Sequence, residues 1–194
     1  MAKYDDDVCK RLLDIANRHN DCLNDYDKIV TACPKRLLSR GVDLYGLYWP
    51  DMEMSKYFIY KGKLTTNERS KNYAYYFDEK DRLRLTERYG DHKDGLENLL
   101  NLIFFYYYEN TTEIVWYNTT DKHITITGYI DYNNGKISKY VETDNVSRII
   151  ESDKKVGSYR EFQFDVDPEY VIGRNYILFR DGSVMETAPK MKKQ

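Results

Sequence analysis

The sequence predicts an α+β domain: a long N-terminal helix, a mostly antiparallel, meandering sheet of hairpins, and one inserted amphipathic helix packed on a sheet face. Three observations predict it. Apolar residues recur at helical spacing up to Pro34, alternate with polar ones at period two after it, and return to helical spacing over 95–109. No Pro- or Gly-rich linker breaks the chain. Residues 1–188 are therefore expected as a single α+β domain, with 189–194 a flexible C-terminal tail.

In the first element, Val8, Leu12, Ile15, His19, Cys22, Tyr26, Ile29 and Cys33 step by four and three along one side. Asp5, Asp6 and Asp7 suit the positive end of the helix dipole, and Pro34 ends the helix. "DLYGLYWP" and "SKYFIYKGKLT" then read as short strands, the second turning at Lys61-Gly62. "NYAYYFDEKDRLRLTERY" reads as a hairpin: Tyr73, Tyr75 and Phe77 alternate on one arm, Leu83 and Leu85 on the other.

Over 95–109, Leu96, Leu99, Leu100, Ile103, Phe104 and Tyr107 form a helical stripe, with Asp94 and Glu97 placed as a capping box. This places Leu102, Phe105, Tyr106 and Tyr108 on the face away from the core. Either a second layer covers them or they form an exposed aromatic patch for a partner. Ten uncharged residues from Leu99 to Tyr108 are too few to span a bilayer, which needs about 20. Strands resume at "EIVWYN" and "HITITGYIDY", and "NNG" at 133–135 predicts a type I′ turn into "KISKYVE". "VSRIIESDKKVGS" reads as a loop or short helix, and "REFQFDVD", "YVIGRNYILF" and a turn at Asp181-Gly182 complete the sheet.

Composition narrows the function. The chain of 194 residues is 32% charged with a formal net charge of −2, which excludes a global field aimed at nucleic acid. Cys9, Cys22 and Cys33 are odd in number and widely spaced, which argues against a disulfide framework or a C-x-x-C site. The opening "MAKYDDDVCK" is acidic without an apolar core, so no signal peptide is expected. A cytoplasmic protein follows, with no membrane association.

Motifs for chemistry are sparse. His19, His92 and His123 lie in separate segments without metal-ligand spacing, and "DVDPE" at 165–169 lacks the glycine and terminal glutamate of a calcium loop. No glycine-rich phosphate loop occurs. Arg82, Arg84 and Arg88 share a strand face, but Asp78, Glu79, Asp81 and Glu87 surround them, which describes a solvated, salt-bridged strand. No catalytic residue, metal, cofactor or nucleic acid is therefore expected. The 20 tyrosines suit half-buried strands and interaction surfaces alike.

A leading helix, meandering hairpins, a Leu-rich helix followed by the Trp-bearing strand "EIVWYN", and the "GYIDYNNGK" hairpin together resemble the small α+β immunity proteins of bacterial polymorphic toxin systems. The resemblance spans residues 12–186 and lies in architecture, with no diagnostic motif. It implies a non-enzymatic protein that binds and neutralises a cognate toxin. A small-molecule or peptide sensor and an enzyme with carboxylates gathered in space are the alternatives. Homodimerisation through the aromatic helix competes with all three. For a protein partner, the expected anchors are Phe105, Tyr106, Tyr108 and Trp116, with Asp78, Glu79 and Asp81 as the charged rim.

Overall fold

A computed structural model describes residues 6–41, 43–44, 62–90, 98–143, 158–164, 169–178, 184–187 and 190–192. The chain is α+β with antiparallel strands. Its helices are α1 (Asp6–Arg18) and α2 (Tyr26–Ala32), with 3₁₀ turns at Cys22–Asp25 and Glu68–Ser70. The strands are β1 (Lys35–Arg40), β2 (Lys63–Thr65), β3 (Tyr73–Phe77), β4 (Leu83–Tyr89), β5 (Leu99–Tyr107) and β6 (Thr111–Asn118). They continue with β7 (His123–Asn133), β8 (Lys136–Thr143), β9 (Ser158–Gln163), β10 (Tyr170–Leu178), β11 (Val184–Thr187) and β12 (Lys190–Lys192). No helix among the described residues is long and apolar enough to cross a membrane.

The chain divides into two compact units: Met1–Asn20, Tyr107–Val115 and Ile124–Lys193 in the first, and Asp21–Tyr106 and Trp116–His123 in the second. In the first, the ladder runs β7-β8-β9-β10, and β10 pairs beyond it with both β11 and β12. Asn134 and Gly135 both have positive φ, 51° and 74°, which is the I′ geometry that "NNG" predicts. Within the stretch expected as a tail, Lys190–Lys192 lines up against Tyr170–Ile172.

In this unit α1 buries Val8, Leu12, Ile15 and Ala16. Arg11 fixes its position. Its guanidinium grips both carboxylate oxygens of Asp131, at 2.9 and 2.7 Å, and lies 3.6 Å from the centroid of the Tyr129 ring. At the end of α1, Glu113 accepts from Arg18 and, at 2.8 Å, from His19 Nε2. Burial pushes the Glu113 carboxyl up, but the hydrogen bonds from His19 and Arg18 outweigh it, so its pKa lies below the usual 4.5. A depressed carboxylate contributes stability that is present above its unfolded pKa and lost as pH falls through the folded one. The urea midpoint is therefore expected to fall more steeply below about pH 4.5 in the wild type than in Glu113→Gln. Parallel profiles would remove this assignment.

In the second unit the ladder is β2-β1-β3-β4-β5. The β3–β4 hairpin forms as its alternation predicts, and Ala74, Tyr75, Leu85 and Phe104 are fully buried.

Two expected elements are corrected. Residues 99–107 are not part of a helix: they form β5, in register with β4 from Leu85↔Phe104 to Arg88↔Asn101. Leu102, Ile103, Phe104 and Phe105 are buried in succession. A strand covered on both faces reads as a continuous apolar run, which also satisfies a helical stripe. Asp94 and Glu97 lie outside the described residues. The long N-terminal helix is likewise broken, ending at Arg18 before a turn at Asn20–Asp21, where Asn24 N–H bonds to Asp21 O at 2.9 Å. Asn and Asp side chains favour such turns over helix interiors. The seam itself holds: His19, Cys22 and Ile29 are buried. Strands expected within 45–61, the stretch 146–157 and the turn at Asp181-Gly182 fall outside the described residues.

Candidate interaction groove beside the second helix

An open groove of about 330 Å³ lies in the second unit, with α2 on one side and the β3–β4 turn, β4 and β5 on the other. Asp25, Lys28, Ile29 and Cys33 line the helical wall, and Asp78, Arg84 and Tyr106 line the sheet wall.

The helical wall is held from beneath by one carboxylate. Glu87, on β4 and buried, accepts from the hydroxyls of Tyr26 on α2 at 2.5 Å, Tyr76 on β3 at 3.0 Å and Tyr89 on its own strand at 2.7 Å. Arg36 Nε donates to the Tyr76 hydroxyl at 3.1 Å, and Lys71 Nζ lies 4.5 Å from the centre of the Tyr89 ring. Both cations also reach Glu68. Burial first, then Glu87, pushes the Tyr26 phenol up; the same two causes push that of Tyr76 up to about 12. All three hydroxyls are therefore neutral donors to a carboxylate, which ties the first turn of α2 to the sheet.

The sheet wall begins at the β3–β4 turn. Asp78 Oδ1 accepts the N–H groups of Lys80 and Arg82, both at 3.0 Å, and Oδ2 accepts from Arg82 Nε at 2.9 Å. Burial raises the Asp78 carboxyl, but these bonds outweigh it and hold its pKa below the usual range. Arg84 reaches Asp78 only at 3.9 Å, and its Nε donates to Phe105 O at 3.3 Å. Tyr106 donates its hydroxyl to Asp25 Oδ2 at 3.3 Å, across the groove.

Of the residues singled out in the sequence, Asp78 and Tyr106 thus meet in one groove. Glu79 and Asp81 are exposed on the adjoining turn, where Asp81 pairs with Lys35 at 2.6 Å. Phe105 is 1% exposed and Trp116 is 5% exposed, so both sit in the core. Strand neighbours point to opposite faces, so Phe105 is buried on one face of β5 while Tyr106, on the face it shares with Phe104, reaches the groove. Tyr108 is 48% exposed and belongs to the first unit, outside the set of residues that line the groove.

Asp25 and Lys28 escaped the sequence reading, and Cys33 and Arg84 entered it only as a seam residue and a strand-face charge, because only the fold brings their segments together. Burial is the main cause that lifts the Cys33 thiol; Arg84 opposes it, and Asp78, the least of the three, adds to it. A thiol held protonated is a poor nucleophile. Paired charges around an apolar strip of Ile29 and Tyr106 suit recognition rather than bond-breaking. Among the described residues no group of three or more His, Cys, Asp or Glu side chains could hold a metal ion. No protein-family model, characterised protein or solved structure matches this chain.

Proposed function

We propose that this chain is a non-enzymatic protein-binding module of the immunity-protein type, cytoplasmic, that binds and neutralises a cognate bacterial toxin domain through the groove beside α2. The observation that carries the proposal is the convergence of Tyr106, Asp78 and Asp25 on one open groove. An aromatic flanked by carboxylates is a common anchor for a partner side chain, and a basic residue of the toxin would meet Asp25 beside the Tyr106 ring.

The test is co-expression with the product of the gene immediately upstream, scored by host survival and by co-purification. The expected result is a toxic neighbour neutralised in a stable 1:1 complex. Tyr106→Ala is then expected to weaken that complex about 10- to 100-fold, as a central aromatic anchor would, while Tyr108→Ala leaves it near wild type. A harmless neighbour, or equal loss from both variants, would count against the groove.

The groove volume favours one second reading. About 330 Å³ lies at the lower end of small-molecule sites, which fits a peptide or small-ligand sensor. Saturable thermal stabilisation by a small-molecule library, abolished in Tyr106→Ala, would select it.

A further inference from the structure

A second surface lies at the far edge of the same unit's ladder. β1 pairs with β3 from Lys35 to Ser39, whereas β2 covers only Leu38, Ser39 and Arg40 on the other side. Among the described residues, Lys35–Leu37 therefore have a strand neighbour on one side alone. Alongside them runs an open groove of about 610 Å³, flanked by Arg36, Leu37, Leu64, Thr65 and Glu68. It continues the lane of β2 past Thr65, where the chain leaves for the 3₁₀ turn at Glu68–Ser70.

We infer that this interrupted lane is a docking edge for an extended, acidic segment of a partner protein, added as a strand beside Lys35–Leu37. Strand addition satisfies edge backbone groups with main-chain hydrogen bonds and reads alternate side chains on the two faces. Both faces are furnished here. Ser39 stands opposite Leu64, so Leu37, two residues before Ser39, shares the Leu64 face. Leu64 is 64% exposed, and with Leu37 it offers an apolar track on that side. The other face presents Arg36, braced by Glu68 at 3.2 Å.

Charge selects the occupant. Residues 35–40 and 62–71 carry six basic side chains against one acid, Glu68. Lys35 is paired with Asp81, Arg36 and the buried Lys71 with Glu68, and Arg40, Lys63 and Arg69 are exposed. A second copy would set this basic edge against itself, and edge lysines are a common device against such pairing. A segment alternating apolar and acidic residues fits both the track and the field.

The full chain would be titrated with a fluorescein-labelled (Glu-Val)₅ peptide, a (Lys-Val)₅ counterpart and a single-stranded (dT)₁₂. The acidic peptide is expected to bind, to weaken with added salt, and to slow hydrogen exchange of the Arg36 amide, which alternates away from β3 toward the open edge. Leu64→Glu, an exposed change that reverses charge and removes the track, is expected to weaken binding at least tenfold without altering the thermal midpoint. Several results would overturn the inference. These are equal binding of both peptides, an Arg36 amide already protected without peptide, a dimer that Leu64→Glu dissociates, or tighter binding of (dT)₁₂ at the same edge.

Discussion

Glu87→Ala is expected to lower the stability of the chain by about 3–5 kcal/mol, read as a large fall in the urea midpoint. The carboxylate accepts three tyrosine hydroxyls, from α2, β3 and β4. Truncation leaves the buried Tyr76 hydroxyl and the part-buried Tyr26 and Tyr89 hydroxyls without this acceptor. Each orphaned buried donor costs about 1–3 kcal/mol, and local relaxation keeps the total below the sum. Glu87→Gln is expected to be milder, since one oxygen remains to accept and hydroxyls can turn to accept from the amide. The phenols report on the same change. In Glu87→Ala the Tyr76 hydroxyl should titrate below about 12, because burial persists as a raising cause and the neighbouring carboxylate does not. An unchanged urea midpoint would show that the triad is incidental to the fold.

Gly128→Ala should be strongly damaging for a single added methyl. A Cβ there would stand 2.8 Å from the backbone oxygen of Val141 and 3.3 Å from the Glu142 Cβ. A main-chain oxygen in the middle of β8 cannot swing aside, because Val141 is paired on one side with Tyr129 and on the other with Glu161. Overpacking of this kind costs about 1–3 kcal/mol, with the upper end expected where backbone rather than side chain must move. For a chain of this size that is a drop in Tm of roughly 4–12 °C if the cost is 2–3 kcal/mol. Gly90→Ala serves as the control. Its Cβ would meet only Leu100 side-chain atoms, the nearest at 3.4 Å, and a shift below about 1 °C is expected. Equal losses in the two variants would mean that the Val141 contact is not the cause.

The hairpins were legible because their information is local. Asn134-Gly135 specifies its turn within two residues, and the arms on either side need only alternate. β5 was not legible, because Leu102 to Phe105 are apolar on both faces and carry no period of their own. That mistake propagated to the site. On a helix Phe105 and Tyr106 would share a flank; on a strand they point apart, and only Tyr106 reaches the groove. The seam of the N-terminal segment was legible as burial, but its break at Asn20–Asp21 was not, since apolar spacing runs straight through it. Asp25 and Arg84 became site residues only through the pairing of distant segments, which no short window of sequence contains.

The Arg11–Asp131 grip sets an order of events during synthesis. Every hairpin here can close as soon as its second arm leaves the ribosome, but Arg11 must wait 120 residues for its carboxylate. At about 5–20 residues per second that is roughly 6 to 24 s. Throughout that interval Leu12 and Ile15, fully enclosed in the finished fold, have no sheet to lie on. A nascent chain stalled before β7 is thus a natural client for a holdase chaperone, and docking of the first helix waits for β7.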